Sequence, residues 1–243
     1  MNKVYPSVDE AVVDVFDGAS IALGGFFTAG NPVYLIKALA KRGSKNLTII
    51  TQSAGIGNWE INLLINNRQV KKAICNYPFF RSASRLSPFE QQLRAGEVEC
   101  EVYPMGTFIE KLRAGGAGIA GFYTPIGVGT SVAEGKECRG FNGKEYLLEL
   151  ALKPDFAFIH AYKGDSYGNL VYRKTSRNYN PEMAMAAKIT IAEVENLVEP
   201  GEIDPDHVHT PGIFVQRVVK VERPKIDVTI ETPPEGAYEE STS

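Results

Sequence analysis

The amino-acid sequence predicts an α/β fold built on an open, mostly parallel sheet with crossover helices. Short apolar runs alternate with segments that open on helix-start signals, the order of strand–helix–strand units. The run Ile21-Ala22-Leu23 ends directly in Gly24-Gly25, as a buried strand does when it opens into a loop that approaches something closely. Asn31-Pro32 then reads as an N-cap followed by proline at the first helical position, so the loop joins a strand end to a helix start.

Each element has its own signal. Ser7 and Glu10 form a capping box ahead of Ala11-Val12-Val13, predicting a helix that ends near Gly18. A strand over 20–24 follows, then a helix from Pro32 to about Arg42 that stops at Gly43, then a strand over 47–51. Ala73 to Tyr77 reads as a strand, and Ser87 with Glu90 makes a second capping box for a helix to about Ala95. The alternation Val98-Glu99-Cys100-Glu101-Val102 predicts a strand, and Thr107 with Glu110 caps a helix through about Arg113. Later come strands over 156–161, near 169–173, near 189–194 and near 213–221, with a helix from Pro181. From Pro224 the chain is rich in Pro, Glu, Thr and Ser, which predicts one domain over 1–223 and a polar tail over 224–243.

Composition bounds the function. The 243 residues suffice for one large α/β domain, and 44% hydrophobic with 23% charged residues are ordinary for a soluble globular protein. A net charge of −3 argues against nucleic acid or an anionic membrane as general partner. No apolar stretch nears the roughly 20 residues that span a bilayer, and Met1-Asn2-Lys3-Val4-Tyr5-Pro6 lacks a signal-peptide core, so a cytoplasmic protein is expected. Cys75, Cys100 and Cys138 show no CxxC spacing and make no cluster with His160, His207 and His209, so neither a disulfide framework nor a metal site is expected.

The glycine loop carries the chemistry. Backbone N–H groups gathered between a strand end and a helix start suit a phosphate, a pyrophosphate, or a carbonyl oxygen gaining negative charge. A tight strand-to-helix turn is the plainer reading of two glycines. Two further motifs lack their required context. Gly116 to Gly121 spells G-x-G-x-x-G, but a predicted helix precedes it and Phe122-Tyr123-Thr124-Pro125 cannot propagate one, so a dinucleotide site is not expected. Gly164-Asp165-Ser166-Tyr167-Gly168 spells G-x-S-x-G after a strand, yet Asn169 to Arg173 reads as another strand rather than the helix a nucleophile elbow needs. His207 and His209 stand in the right order to complete a triad, so this hydrolase reading keeps some footing.

The spacing from Asp17 through Gly24-Gly25-Phe26, Gly30 and Pro32 resembles the N-terminal signature of the family I coenzyme A transferases. The likeness continues through Arg113 to Gly118, Gly121 to Pro125, Gly127 to Thr130, Phe141 to Tyr146 with Leu148-Glu149, Asp155 to Ala157, Asp165 to Asn169, Arg177-Asn178, Ala186-Ala187, Glu193 to Glu195 and His209 to Ile213, covering about residues 3–221. It is similar to the α, or A, subunit of a two-subunit 3-oxoacid-type transferase. The resemblance implies transfer of coenzyme A from an acyl-CoA donor to a carboxylic acid, with coenzyme A as substrate and no permanently bound cofactor. It implies that a glutamate attacks the thioester, giving an acyl anhydride and then a glutamyl-CoA thioester. In the family that glutamate lies in a Ser-Glu-Asn-Gly segment of the β subunit. Here Glu195-Asn196 is followed by Leu197-Val198, so no catalytic residue is expected in this chain, and a β-subunit partner, as α2β2, is.

Carried over onto this sequence, Gly24, Gly25, Phe26, Phe27, Thr28, Ala29 and Gly30 form the coenzyme A loop. Phe27 stands where many members have glycine. Gln52 and Ser53, at the carboxyl end of strand 47–51, stand where some 3-oxoacid members have two Asn, and both types hydrogen-bond an acid or thioester oxygen. Met105 stands where succinyl-CoA:3-oxoacid members have Gln, which points to a larger or more apolar acyl group. Arg81 and Arg85, in a loop longer than the family's, could clamp a remote carboxylate, or be two solvated arginines. The same fold would also fit either a CoA-ester hydrolase subunit or a non-catalytic CoA-binding subunit. The partner's sequence separates these readings, since the Ser-Glu-Asn-Gly glutamate favours transfer.

Overall fold

The main sheet grows outward in both directions from its first strand, β1 (Ser20–Leu23). The computed structural model describes residues 2–55, 60–79 and 86–224. On one side of β1 lie β2 (Leu47–Ile50), β3 (Val70–Cys75) and β4 (Glu99–Val102) in sequence order. On the other lie β8 (Phe156–Asp165), β10 (Ile189–Val198) and β11 (Arg217–Lys220). All these pairs are parallel; β9 (Leu170–Val171) runs antiparallel, against β8. Helices α2 (Val33–Arg42), α3 (Ile61–Asn66) and α4 (Pro88–Arg94) make the successive crossovers from β1 to β4.

Strand alternation divides the core into two layers. Ile21, Leu23, Ile49, Phe156, Phe158 and Ile191 point to one face and pack with Leu35, Ile36, Leu39, Leu64 and Phe89 of the crossover helices. The intervening Ala22, Ala157, Ala161 and Ala192 point to the other face, beneath Phe108, Leu112, Met183 and Ala184. Those last four lie on α5 (Met105–Gly116) and α6 (Asn180–Ala186). Small side chains on that face let the two helices sit close. Their own contact is tight as well: a Cβ on Gly116 would stand 2.8 Å from the Cβ of Met185.

A smaller antiparallel sheet, β5 (Gly121–Thr124), β7 (Lys144–Leu150) and β6 (Cys138–Phe141) in spatial order, is attached through α5. The attachment is ionic and buried. Lys111 of α5 donates to Glu149 of β7 at 2.8 Å, both side chains being nearly fully enclosed. Lys136 binds the second Glu149 oxygen. Both ammonium groups also lie over the Tyr103 ring, at 4.3 and 5.1 Å from its centroid. Two cations and a ring thus surround one carboxylate, which compensates its desolvation.

Several boundaries differ from the sequence expectation. The first helix, α1 (Val8–Ala11), is one turn long rather than reaching Gly18, although Ser7 caps it as expected. Pro32, not Asn31, occupies the cap position of α2, because the Asn31 side chain turns back into the glycine loop. α5 starts at Met105 rather than at Thr107, whose buried hydroxyl finds no hydrogen-bond partner among the described residues. β3 begins at Val70, β8 and β10 run four residues further than expected, and β9 is reduced to two residues. A 3₁₀ turn at Gly212–Phe214 delays β11 to Arg217. α3 and the three strands of the small sheet have no counterpart in the sequence expectation. Cys75 and Cys100, distant in sequence, meet across β3 and β4 with their sulfurs 3.9 Å apart, as free thiols. The second capping box, at Ser87 and Glu90, is complete.

Glu149→Ala would leave Lys111 buried without a counter-ion. Removing one partner of such a pair costs about 3–5 kcal/mol, so the urea midpoint is expected to fall sharply. A midpoint unchanged from the parent would show that the small sheet is held by other contacts.

Candidate functional site

The chain reverses its direction of travel across the sheet at β1, and the carboxyl ends of β1 and β8 therefore bound the crevice where open α/β sheets bind ligands. The glycine loop fills the mouth of that crevice. The amide of Gly24 still continues the sheet, donating to the Phe158 carbonyl at 2.9 Å. Phe26 and Ala29 then exchange two backbone hydrogen bonds, at 2.9 and 3.0 Å, closing a tight turn.

Three asparagines take the loop's carbonyls. Asn31 donates to the carbonyl of Phe27 at 2.7 Å, Asn178 to that of Ala29 at 2.9 Å and Asn180 to that of Gly30 at 3.1 Å. Asn180 is fully buried, also donates to the Ser176 carbonyl at 2.8 Å, and accepts from the His160 amide at 3.2 Å. The loop's carbonyl side is therefore engaged by the scaffold, and ligand recognition falls to its amides and side chains. Gly25 has φ +104°, and a Cβ there would overlap Asn31 Oδ1; Gly30 has φ +73°, and a Cβ there would stand 2.6 Å from the Ser176 carbonyl. Neither position admits another residue without moving an asparagine clamp or the backbone it holds. Phe27 is left-handed too, at φ +53°, a conformation that costs a bulky residue about 1–3 kcal/mol.

A second buried group anchors the helix that follows. Glu193 of β10 is fully enclosed and accepts the amides of Tyr34 and Leu35, at 2.9 and 3.0 Å, at the start of α2. It also meets His160 Nδ1 at 3.0 Å, while His160 Nε2 faces Glu195 at 3.3 Å. Burial by itself depresses the imidazolium, but the two carboxylates outweigh it and hold the His160 pKa above its ordinary value. Arg173 stands 3.9 Å from Glu195 and stacks on Tyr162 at 4.6 Å. His160, Glu195 and Arg173 wall a cavity of 230 Å³ that opens beside Ala29 and Gly30.

The residues singled out in the sequence are brought together in part. Gln52 follows β2, is buried, and its Oε1 lies 3.4 Å from the amide of Phe27, so it borders the glycine loop. Ser53 is buried beside it and bridges to Tyr77. Met105 is exposed at the first position of α5, just past β4, the third strand out from β1. An aromatic row spans that gap: Phe26 to Tyr179 at 6.0 Å and Tyr179 to Phe108 at 5.8 Å, one helical turn from Met105. Arg81 and Arg85 lie outside the described residues. Ser166 sits in the turn between β8 and β9, where Asp165 accepts the amides of Tyr167 and Asn169. His209 accepts the Tyr172 amide, so it is a structural histidine. Gly116 closes a helix and Gly121 opens a strand, the reverse of a dinucleotide fingerprint. Sequence reasoning gave no site role to Asn180, His160 or Glu193. The signals present were the family-like segment Glu193-Val194-Glu195 and the pair of asparagines flanking Tyr179 just ahead of Pro181.

Asn180→Asp retains an acceptor for the His160 amide but loses the donors to the Gly30 and Ser176 carbonyls. Unpaired buried groups cost about 1–3 kcal/mol, more when charged, so a clear loss of urea stability is expected. An unchanged midpoint would show that the clamp carries no strain or load.

The model of the family described as "Coenzyme A transferase" matches residues 5–221. The A subunit of the succinyl-CoA:3-ketoacid coenzyme A transferase of Helicobacter pylori strain J99 is 48% identical over 223 residues, covering 92% of this chain and 94% of its own. The A subunit of the 3-oxoadipate CoA-transferase of Pseudomonas putida is 48% identical over 221 residues, covering 91% and 94%. The crystal structure of an acyl-CoA transferase apoenzyme from Escherichia coli O157:H7 superposes with TM-score 0.79 at 25% identity. It covers 90% of this chain, which spans 47% of that longer one. Family signature, sheet order and clamped glycine loop agree: the chain belongs to the coenzyme A transferase family.

Proposed function

We propose that this chain is the A subunit of a heteromeric acyl-CoA:carboxylate coenzyme A transferase of the 3-oxoacid type, working with a B subunit in an α2β2 assembly. The glycine loop at the carboxyl end of β1, its carbonyls tied down by Asn31, Asn178 and Asn180, is the observation that carries this reading. Residues 24–30 then bind coenzyme A, and Gln52 and Ser53 orient an acid or thioester oxygen beside the loop. Relatives named as the A subunits of succinyl-CoA:3-ketoacid and 3-oxoadipate transferases support the division of labour. In it, the acyl-CoA carbonyl is attacked by a glutamate of the B subunit, which expels the CoA thiolate. The thiolate attacks the anhydride, releasing the first acid and leaving a glutamyl thioester, which the second acid reverses.

Phe27 on the glycine loop and Met105 at the far end of the aromatic row are each 47% exposed, apolar surface that a covering subunit would bury. Such a cover excludes water, which strengthens electrostatic stabilisation within and protects the thioester from hydrolysis. No helix among the described residues is long and apolar enough to cross a membrane.

A CoA-transfer assay over a panel of acids, after co-expression with the B subunit, tests the reading. The complex is expected to transfer and the isolated chain to be silent; turnover by the chain alone overturns it. Within the complex, Gly25→Val should lower transfer by orders of magnitude, whereas Ser166→Ala should leave it intact.

Met105, at the end of the aromatic row, is proposed to set acyl preference. A thioether is a weak acceptor and adapts to apolar shapes. Met105→Gln should raise kcat/KM for acetoacetate relative to a longer acid by about 10-fold or more, the worth of one hydrogen bond to a charged group. An unmoved ratio would make Met105 a packing residue.

A further inference from the structure

The cavity beside the glycine loop has no part in thioester chemistry as described so far, yet its walls are built to hold a charge. Arg173 and Arg223 line it together with His160, Tyr162, Ser176 and Glu195. The guanidinium of Arg173 is fixed from two sides, by the Tyr162 ring at 4.6 Å and by Glu195 at 3.9 Å. His160 is bound at both ring nitrogens by carboxylates, Glu193 and Glu195. Carboxyl groups face both ring nitrogens and hold the His160 pKa above its ordinary value, which favours the charged ring. Two guanidinium groups and this ring therefore meet one open carboxylate, Glu195, because the buried Glu193 is already committed to the start of α2. The balance is positive, in a chain whose net charge is −3.

Size narrows the occupant. Sites for whole small molecules run to about 300–1,000 Å³, and this cavity holds 230 Å³. It has room for one end of a ligand whose reacting end lies elsewhere. Ala29 and Gly30 form one wall, so the cavity is continuous with the loop proposed to take coenzyme A.

We propose that the cavity walled by Arg173, Arg223 and His160 is an anion subsite that grips a remote, non-reacting anionic group of the substrate. The inference rests on the transferase reading above. Two sources share the required chemistry: a phosphate of coenzyme A and the distal carboxylate of a dicarboxylic acid or its acyl group. Arg173 supplies a pre-oriented fork for paired oxygens. Glu195 orients Arg173 and His160, and its charge keeps the subsite from holding the anion too tightly for turnover. Binding energy gathered here, far from the thioester, serves to position the reacting end.

The experiment uses the reconstituted two-subunit complex with Arg173→Gln, Arg223→Gln and the double variant, and Arg173→Lys as a check that charge without the fork rescues only in part. One arm compares kcat/KM for an acyl-CoA and the matching acyl-pantetheine thioester, which lacks the phosphates. The other compares succinate with butyrate as acceptor. The double variant is expected to lose one preference by about 10- to 100-fold, the worth of a charge-assisted contact, leaving the other within twofold. Loss of the CoA preference identifies the phosphate, and loss of the succinate preference the carboxylate. If both ratios stay unchanged in a complex that still transfers, the inference is overturned. If the unmodified complex does not transfer at all, the transferase reading fails instead. Calorimetric titration of the purified full-length chain with pyrophosphate and with succinate then decides the subsite alone: binding of either that the double variant abolishes supports it, and equal or absent binding in both proteins rejects it.

Discussion

One buried carboxylate joins the two halves of this molecule. The chain lays down β1 to β4 on one side and β8 to β11 on the other, so the two halves share no continuous run of sequence. Glu193 crosses that divide: it stands on β10 and accepts the first free amides of α2, the helix that leads away from β1. Its carboxyl group meets the positive end of that helix and the His160 ring together. Because α2 begins where the glycine loop ends, the position of the loop depends on a residue that lies well over a hundred positions later. A site assembled this way exists only when both halves have folded.

The two faces of the sheet explain why most of the fold was legible. Along the strands, large residues such as Ile21, Phe156 and Phe158, which face α2, α3 and α4, alternate with alanines that face α5 and α6, and period-two alternation is what a sequence shows most plainly. Ser87 and Glu90 were legible for a similar reason, since a capping box is a local arrangement between near neighbours. The small sheet was not legible. Its strands are short, exposed along β6, and held through Lys111 and Glu149, residues that read as ordinary surface charges until the fold buries them. Thr107 misled in the opposite sense: a good capping type in the wrong turn, because Pro104 had already started the helix.

The site divides along the same line. Gly25 and Gly30 announced themselves because a positive φ leaves few alternatives to glycine. Gln52 could be placed because it follows a strand on the ligand side of the sheet. Asn178 and Asn180 were invisible as clamps, since asparagines ahead of a proline look like any helix start. His160, Glu193 and Glu195 are spaced as alternate residues of two separate strands, and only the parallel pairing of β8 with β10 makes them one cluster.

Phe27 holds a backbone conformation that glycine would adopt without strain, and the genetic code constrains how such strain is ever released. Phenylalanine and glycine codons differ at their first two bases, so relaxation needs two changes. One intermediate is valine, whose branched Cβ fits a positive φ worse than phenylalanine does. The other is cysteine, a soft nucleophile placed on the loop proposed to hold an acyl thioester. Thiol–thioester exchange at that point would draw the acyl group onto the loop and off the catalytic carboxylate. Each single-base route from Phe27 towards glycine therefore passes through a residue that either adds strain at this φ or adds a thiol to the loop.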